Sequence, residues 1–177
     1  MEETVAIGCV VKLDRGFPLV RLEGGRELRC KHATSLVKGE RVRAVIGDRV
    51  RVSFAERNDK ALIVEVLPRT RELVRKDPTE RAVPQVLAAN FDRVVVTQPS
   101  TEVNMRRLER ELVLAHETGA AVSVVLTKAD LAESEDEVAR VRERVLALVG
   151  VDVETLVVSE AMPESVEAVR ALVPEGT

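Results

Sequence analysis

The chain is poor in aromatic residues, cysteine and histidine, and each shortage excludes a kind of structure or site. Only Phe17, Phe54 and Phe91 are aromatic among 177 residues, so the core must be built from Val, Leu, Ile and Ala. Two cysteines, Cys9 and Cys30, are predicted to be buried free thiols in a reducing compartment, with a cross-strand disulfide as the weaker alternative. With two histidines besides, no metal site is expected within this chain.

Targeting and membrane signals are also missing from the sequence. No opening stretch combines a basic start, an apolar run and a small-residue cleavage site, as a signal peptide would. No apolar run approaches the length needed to span a bilayer. With 45% hydrophobic and 32% charged residues, the composition predicts a soluble, cytoplasmic, globular protein without a membrane partner.

The net charge of −3 conceals an asymmetry between the two parts of the chain. Residues 1–76 contain 17 Lys and Arg against 11 Asp and Glu, whereas residues 77–177 contain 10 against 19. This difference predicts two units with different partners, of which the basic one is the candidate for nucleic acid. A solvated charged surface is the alternative explanation.

The first unit, residues 1–68, has the pattern of a small β-barrel. Five short β-rich runs follow one another without a helix-length pattern: Val5–Leu13, Phe17–Leu22, Arg26–Lys31, Arg49–Phe54 and Ala61–Leu67. Turn signals such as Gly24-Gly25 separate them. This arrangement favours a five-stranded OB-type barrel, with an SH3-like barrel as the close alternative.

Basic side chains of this unit are the candidate RNA contacts. They are Arg21, Arg26, Arg29, Lys31, Arg41, Arg43, Arg49 and Arg51. OB barrels bind nucleic acid across one face, but the aromatic side chains that stack on single-stranded bases are scarce here. The composition therefore favours contact with the phosphates of folded RNA over base reading.

The second half of the chain changes to strand–helix alternation. Residues 69–90 are predicted to be a linker because prolines alternate with charges. Residues 91–177 then predict three short buried strands and three helices, with Asn104 and Ser134 as helix caps and Gly119 as a helix end. This is a parallel α/β unit with too few strands for a conventional doubly wound nucleotide domain.

The strand Val122–Leu126 ends in the tetrad Thr127-Lys128-Ala129-Asp130, which is a candidate guanine-recognition loop. An ionised Asp130 would accept hydrogen bonds from the ring N–H and the exocyclic amine of guanine. It would reject adenine, which lacks that pair of donors. The stem of Lys128 can lie along one face of the base. In the alternative interpretation, Asp130 or Ser134 merely caps the next helix and Lys128 is a surface charge.

Several separated stretches resemble one family, the circularly permuted ribosome-assembly GTPases known as RsgA or YjeQ. The similar stretches are Val45-Ile46-Gly47-Asp48-Arg49-Val50, Leu67-Pro68-Arg69, Leu73 with Arg75, Gln85–Val94, Asn104 with Leu108–Leu112, and Leu126–Leu131. They occur in matching order over essentially the whole chain.

The resemblance implies an OB barrel, then a GTPase domain with rotated motif order, then a zinc-binding domain. It implies GTP with Mg²⁺ as the ligands of an intact GTP phosphohydrolase, and the small ribosomal subunit with its rRNA as partners. It also assigns Ser159-Glu160 to a second guanine loop, in which a backbone N–H meets the base oxygen. Thr127 stands where the family usually has Asn, and Glu160 where it usually has Ala.

The chain contains no G-x-x-x-x-G-K-[S/T] phosphate loop, switch motif or Cys/His zinc cluster. Residues 91–177 are therefore expected to be a partial GTPase domain with no catalytic residue and no tightly bound cofactor, inactive alone and able to self-associate through an open sheet edge. A non-enzymatic RNA-binding module with a remnant α/β domain is the second hypothesis. A binder of another nucleotide is the third.

Overall fold

The computed structural model describes residues 3–14, 17–40, 42–55, 61–75 and 85–174. The chain divides into two compact units, Met1–Asn90 and Phe91–Thr177. They are called the barrel unit and the α/β unit below.

The barrel unit is built on five strands that close on themselves. They are β1 (Glu3–Asp14), β2 (Phe17–Leu22), β3 (Glu27–His32), β4 (Arg49–Ala55) and β5 (Ala61–Val66). Their order around the barrel is β1-β2-β3-β5-β4, in which β3 and β5 pair in parallel and the other pairs are antiparallel. The predicted five-stranded barrel is confirmed, and closure leaves these strands without a free edge.

Successive side chains of a strand point to opposite faces, so every second residue points into the barrel. In β2, Val20 and Leu22 point inward while Phe17 and Arg21 are exposed. The barrel core consists of small aliphatic side chains together with one Phe: Val10, Val20, Leu22, Leu28, Cys30, Leu36, Ala44, Val50, Val52, Phe54, Ala61 and Ile63. Burial raises the pKa of the Cys30 thiol to about 11, so this thiol is protonated and packs as an apolar group. Cys9 is also a free thiol.

The segment 69–90, predicted from composition to be a linker, contains two further strands. These are β6 (Glu72–Arg75) and β7 (Gln85–Ala89), which pair in antiparallel orientation. A single parallel bridge joins Ile46 to Ala88 and so connects this pair to the loop before β4.

A buried ion pair reinforces the connection between that loop and the start of the β6–β7 segment. Asp48 is fully buried and accepts hydrogen bonds from Arg69 Nε at 2.7 Å, Arg69 Nη2 at 2.9 Å and the Val45 backbone N–H at 2.8 Å. The hydrogen bond with Asp48 raises the pKa of the Arg69 guanidinium. Because each carboxylate oxygen has a donor, the charge of Asp48 is compensated within the barrel unit.

Gly47 and Asn90 complete this junction. Gly47 has a φ of +86°, and a Cβ built there would overlap the Ala89 carbonyl oxygen, so any other residue would force the backbone to shift. The Asn90 side chain donates to the Gly47 carbonyl at 3.0 Å and accepts from the Thr70 N–H at 2.8 Å. The last residue of the barrel unit is therefore held by side-chain hydrogen bonds.

The α/β unit contains three parallel strands and three helices. The strands are β8 (Arg93–Pro99), β9 (Ala121–Thr127) and β10 (Glu154–Val157), in the order β10-β9-β8. The helices are α1 (Met105–Glu117), α2 (Glu135–Val149) and α3 (Pro163–Leu172). The predicted parallel α/β architecture is confirmed, and β8 and β10 form the two edges of the described sheet.

Local capping explains where the first two helices begin. Asn104 Oδ1 accepts the N–H of Arg107 at 3.0 Å, and Ser134 Oγ accepts the N–H of Glu137 at 3.3 Å. The Glu137 carboxylate accepts the N–H of Glu133, one residue before the cap, at 2.8 Å. Both caps lie at the predicted residues.

Packing of α1 and α2 on the sheet forms the core of the α/β unit. Leu108, Leu112 and Ala115 of α1 and Val145 of α2 meet one face of the sheet, to which β9 contributes Val122, Val124 and Leu126. Among the described residues, no helix is long and apolar enough to span a membrane. Because the three strands are parallel, their carboxyl ends lie at one edge of the sheet.

Candidate functional site

The candidate site lies at the carboxyl edge of the α/β sheet, where β9 and β10 end side by side. The pairing of these strands continues beyond their ends, because the Val158 N–H donates to the Leu126 carbonyl at 2.8 Å and the Ala129 N–H donates to the Val158 carbonyl at 3.3 Å. Two loops, one after each strand, are therefore fastened to each other through the backbone. Ligands of open α/β sheets bind at this kind of edge.

The first loop is the predicted tetrad, and its backbone turns sharply at Lys128. Lys128 has a φ of +59°, an uncommon left-handed conformation for a lysine. The Thr127 carbonyl accepts the Ser100 N–H at 2.7 Å, and the Thr127 hydroxyl donates to the Gln98 carbonyl at 3.4 Å. Both contacts anchor the loop to the end of β8. The turn leaves the side chains of Lys128 and Asp130 exposed to solvent.

A side-chain hydrogen bond joins the two loops. Ser159 is buried, and its hydroxyl donates to Asp130 Oδ1 at 2.7 Å. The same hydroxyl oxygen accepts the Ala161 N–H at 3.1 Å, which fixes its orientation. The hydrogen bond from Ser159 lowers the pKa of the Asp130 carboxyl, with smaller help from Lys128. Asp130 is therefore ionised at neutral pH and held in one place while remaining accessible.

Ser165, which the sequence analysis did not single out, holds the second loop in place. Its hydroxyl oxygen accepts a hydrogen bond from the Ser159 N–H at 3.1 Å. The same hydroxyl donates a hydrogen bond to the Met162 carbonyl at 2.6 Å. Ser165 is the third residue of α3, so this contact spans only six residues of chain. A serine in the first turn of a helix often bonds to nearby backbone, and this local signal could have identified it.

The remaining predicted residues of the site lie around this pair. Ala129 is half-buried, whereas Glu160 is exposed directly after Ser159. An exposed carboxylate fixed at a sheet edge can accept two hydrogen bonds from adjacent N–H donors of a ligand. The negative charge of Glu160 lies next to the loop and disfavours further negative charge there.

The predicted RNA contacts in the barrel unit fall mainly on three strands, β2, β3 and β4. Arg49 of β4 and Arg21 of β2 are both cross-strand partners of Cys9 on β1. Arg29 and Lys31 follow on β3, and Arg51 lies on β4. Arg26 lies in the turn between β2 and β3, Arg43 lies before β4, and Arg41 is outside the described residues. One side of the barrel, centred on β1, thus carries most of this charge.

Acidic neighbours accompany several of these cations. Four ion pairs connect Arg21 with Glu27 at 2.8 Å, Arg29 with Asp14 at 3.0 Å, Arg49 with Glu23 at 3.5 Å and Arg51 with Glu65 at 2.7 Å. The sequence pattern does not reveal these pairs, because cross-strand pairing depends on the register of the strands. Because these pairs are solvent-exposed, each contributes little to stability, and phosphate groups can compete with the carboxylates.

Within the described ranges, no group of three or more His, Cys, Asp or Glu side chains could hold a metal ion. A cleft of about 730 Å³ lies in the barrel unit among Val42, Arg43, Arg69 and Leu87. Arg43 is the predicted contact residue that lines this cleft.

Comparison with known proteins identifies relatives over the whole chain. A family model described as RsgA GTPase matches residues 66–177. The protein named small ribosomal subunit biogenesis GTPase RsgA from Streptomyces avermitilis is 36% identical over 178 residues, which cover 99% of this chain and 46% of that protein. The protein of the same name from Streptomyces coelicolor is 41% identical over 113 residues, or 63% of this chain and 30% of that protein. The chain thus spans half or less of the length of these curated relatives.

Two solved structures share the fold. The crystal structure of YjeQ from Thermotoga maritima superposes with a TM-score of 0.70 at 22% identity, covering 96% of this chain and 57% of that one. The structure of YloQ, a circularly permuted GTPase, gives a TM-score of 0.67 at 20% identity, covering 97% and 57%. At these identities the similarity shows the fold.

Proposed function

The chain belongs to the RsgA GTPase family, and on that premise we propose that it serves small-subunit maturation in the cytoplasm. In this proposal the α/β unit recognises the guanine base of GTP, and the barrel unit docks on ribosomal RNA of the small subunit. The observation that carries the proposal is the hydrogen bond between Ser159 and Asp130, which unites the two predicted guanine loops at one sheet edge.

Guanine selection follows from the chemistry of Asp130. Its carboxylate accepts hydrogen bonds from the ring N–H and the exocyclic amine of guanine, while the stem of Lys128 lies along one face of the base. Adenine presents no such pair of donors, so its binding leaves the carboxylate desolvated and unpaired. Ser159 orients Asp130 and keeps it ionised. The backbone N–H of Glu160 is assigned to the base oxygen by the resemblance described above.

The substitution Asp130→Asn tests this assignment. An asparagine amide donates where guanine also donates, but it pairs with the 2-oxo group of xanthine. We expect GDP binding by the 177-residue chain to weaken by about 5- to 100-fold and XDP binding to strengthen, as measured by ligand-observed NMR. Asp152→Asn, an exposed carboxylate at the amino edge of the same sheet, is the matched control and leaves both affinities unchanged. An unchanged GDP preference in Asp130→Asn would favour a binder of another nucleotide.

In this proposal, GTP hydrolysis is the activity of an intact GTPase that contains a phosphate loop and binds Mg²⁺. The 177 residues contain no G-x-x-x-x-G-K-[S/T] sequence, and the described residues offer no metal cluster. No step of phosphoryl transfer is assigned to residues of this chain. We expect weak guanine-nucleotide binding and no GTP turnover by this chain alone. Release of inorganic phosphate above a buffer control would contradict this expectation.

Docking of the barrel unit on RNA is supported by the cations gathered around β1. Arg49 and Arg51 project from the same strand, so reversing both charges in Arg49→Glu/Arg51→Glu should weaken binding to small-subunit rRNA and flatten its salt dependence. The charge-reversed pair Arg140→Glu/Arg144→Glu on α2 is the control. Binding that ignores both salt and the barrel substitutions would contradict docking through this surface. RNA binding that is indifferent to GTP would favour the non-enzymatic module.

A further inference from the structure

One aromatic side chain is exposed on the outer surface of the barrel. Phe54 is 7% exposed and belongs to the core, and Phe91 is half-buried, whereas Phe17 is 43% exposed. Phe17 is the first residue of β2, and its neighbour Pro18 points into the barrel. In a chain with three aromatic residues, an exposed phenyl ring in a regular strand is a distinctive surface feature.

A cation and a carboxylate flank the Phe17 ring on the two neighbouring strands: Lys31 on β3, and Asp14 on β1, whose charge is offset by ion pairs with Lys12 and Arg29. The register that pairs Leu19 with Arg29 brings Phe17 beside Lys31, whose Nζ lies 5.5 Å from the ring centroid. Lys12 on β1 is the cross-strand partner of Leu19. The outward side chains of this region therefore form a small face, here called the β2–β3 face. It consists of Lys12, Asp14, Phe17, Leu19, Arg21, Glu27, Arg29 and Lys31.

The β2–β3 face is net positive, with four cations against two carboxylates, and its apolar centre is small. Phe17 and Leu19 alone offer little of the apolar area that a stable protein interface buries. An exposed ring beside Lys31, on a face that is net positive, matches a nucleotide instead, because the base stacks on the ring while the phosphates meet the charges. Neighbouring strands 2 and 3 are also the part of an OB barrel that binds oligonucleotides.

We propose that Phe17 is the stacking platform for one unpaired base of the RNA that docks on the barrel, with Lys31 and Arg29 binding the flanking phosphates. The proposal rests on the RNA-docking function assigned above to the barrel unit. The ammonium of Lys31 lies over the ring in the free protein and, at the end of a flexible stem, moves to a phosphate when the base arrives. Arg29 exchanges Asp14 for a phosphate in the same way.

The test uses the full 177-residue chain and a single-stranded RNA of about twelve nucleotides, carrying a fluorescent label. Phe17→Ala should lower the affinity by about 5- to 100-fold, while the slope of log affinity against log salt stays unchanged. Lys31→Gln should instead reduce the slope by about 0.7. Val5→Ala, another exposed apolar residue on the barrel exterior, is the matched control and leaves affinity and slope unchanged. Circular dichroism melting checks that each variant is folded.

A spectroscopic signature of stacking is available because the chain has no tryptophan. In Phe17→Trp the new indole is the only one, and we expect single-stranded RNA to quench its emission while affinity is kept. If RNA binds but Phe17→Ala behaves like Val5→Ala and the indole is not quenched, the stacking platform is overturned and docking stands. If the labelled single-stranded RNA does not bind the wild-type chain at any salt concentration, the stacking platform is overturned, whereas docking on small-subunit rRNA is judged separately by the Arg49→Glu/Arg51→Glu experiment.

Discussion

Asp48 of the barrel unit and Asp130 of the α/β unit are both carboxylates in loops next to strands, yet their surroundings differ. Asp48 is fully buried and both of its oxygens accept hydrogen bonds, from Arg69 and the Val45 N–H. Asp130 is exposed, and a serine hydroxyl holds one of its oxygens. A carboxylate whose hydrogen-bonding capacity is used within the protein stabilises the fold. A carboxylate that is oriented but accessible can bind a ligand.

The backbone around Asp48 is also more tightly constrained than the backbone around Asp130. Around Asp48, Gly47 has its Cβ position blocked by the Ala89 carbonyl, and Asn90 is bound to both neighbouring segments. Around Asp130, Lys128 adopts a left-handed conformation with its side chain in solvent. The barrel junction therefore tolerates little change, whereas the edge of the α/β sheet leaves room for an incoming group.

The largest expected effect is on stability and separates the two carboxylates directly. Asp48→Asn removes the buried counter-ion of the Arg69 guanidinium and leaves the more exposed Glu72, 3.2 Å away, as its acidic partner. The loss of the buried charge should lower the free energy of unfolding of the barrel by about 3–5 kcal/mol. Asp130→Asn should leave the unfolding midpoint unchanged, because the side chain is exposed. Urea denaturation measures each variant in its own unit, through the amide signals of β4 for Asp48→Asn and of β9 for Asp130→Asn. Equal losses in the two variants would remove the distinction.

A pair of glycines sharpens the backbone comparison at a smaller magnitude. Gly47 and Gly119 both have positive φ, at +86° and +70°, but a Cβ at Gly119 meets no atom within 4 Å. Gly119→Ala should therefore cost about 1 kcal/mol from backbone strain alone. Gly47→Ala should cost more, about 2–3 kcal/mol, since the clash with Ala89 is added. Thermal unfolding measures the stability of both variants. Equal losses of stability in Gly47→Ala and Gly119→Ala would show that the backbone at the barrel junction relaxes as easily as the backbone at Gly119.

The smallest expected effect concerns Ser165 and separates positioning from stability. Ser165→Ala removes the acceptor for the Ser159 N–H and should reduce the preference for GDP over ADP by about 2- to 10-fold. Ser165→Thr keeps the hydroxyl and should restore the preference. Ser134→Ala, which removes the N-cap of α2, is the control: it should lower stability by about 1 kcal/mol without changing the preference. Equal preferences in Ser165→Ala and wild type would assign Ser165 to the fold alone.

The parts of the fold that the sequence predicted are those with strong local signals. Strand β2 was predicted with its observed bounds because the β-rich run Phe17–Leu22 lies between two turn signals. Helices α1 and α2 begin after Asn104 and Ser134 because these side chains cap them within three residues. The tetrad and Ser159 were predicted as site residues, and the structure brings Asp130 and Ser159 into contact.

The parts that the sequence did not predict depend on contacts between distant residues. Strand β6 has four residues with a burial pattern that does not alternate, and β7 is joined to the barrel by the bridge between Ile46 and Ala88. The composition around them is that of a linker. The ion pair between Asp48 and Arg69 joins residues that are 21 positions apart, so no local sequence pattern predicts it. The carboxylates that accompany the basic residues were missed because cross-strand pairing depends on register.

The most direct test of Asp130 as the guanine selector is a titration of the wild-type chain with three nucleosides, followed through the backbone amide signals of Asp130, Ser159 and Glu160. Guanosine offers both donors to the carboxylate, inosine lacks the exocyclic amine, and adenosine offers neither donor in that arrangement. We expect these amides to shift with guanosine in the millimolar range, at higher concentration with inosine, and not with adenosine. Equal shifts with all three nucleosides, or shifts confined to residues away from this sheet edge, would contradict the account.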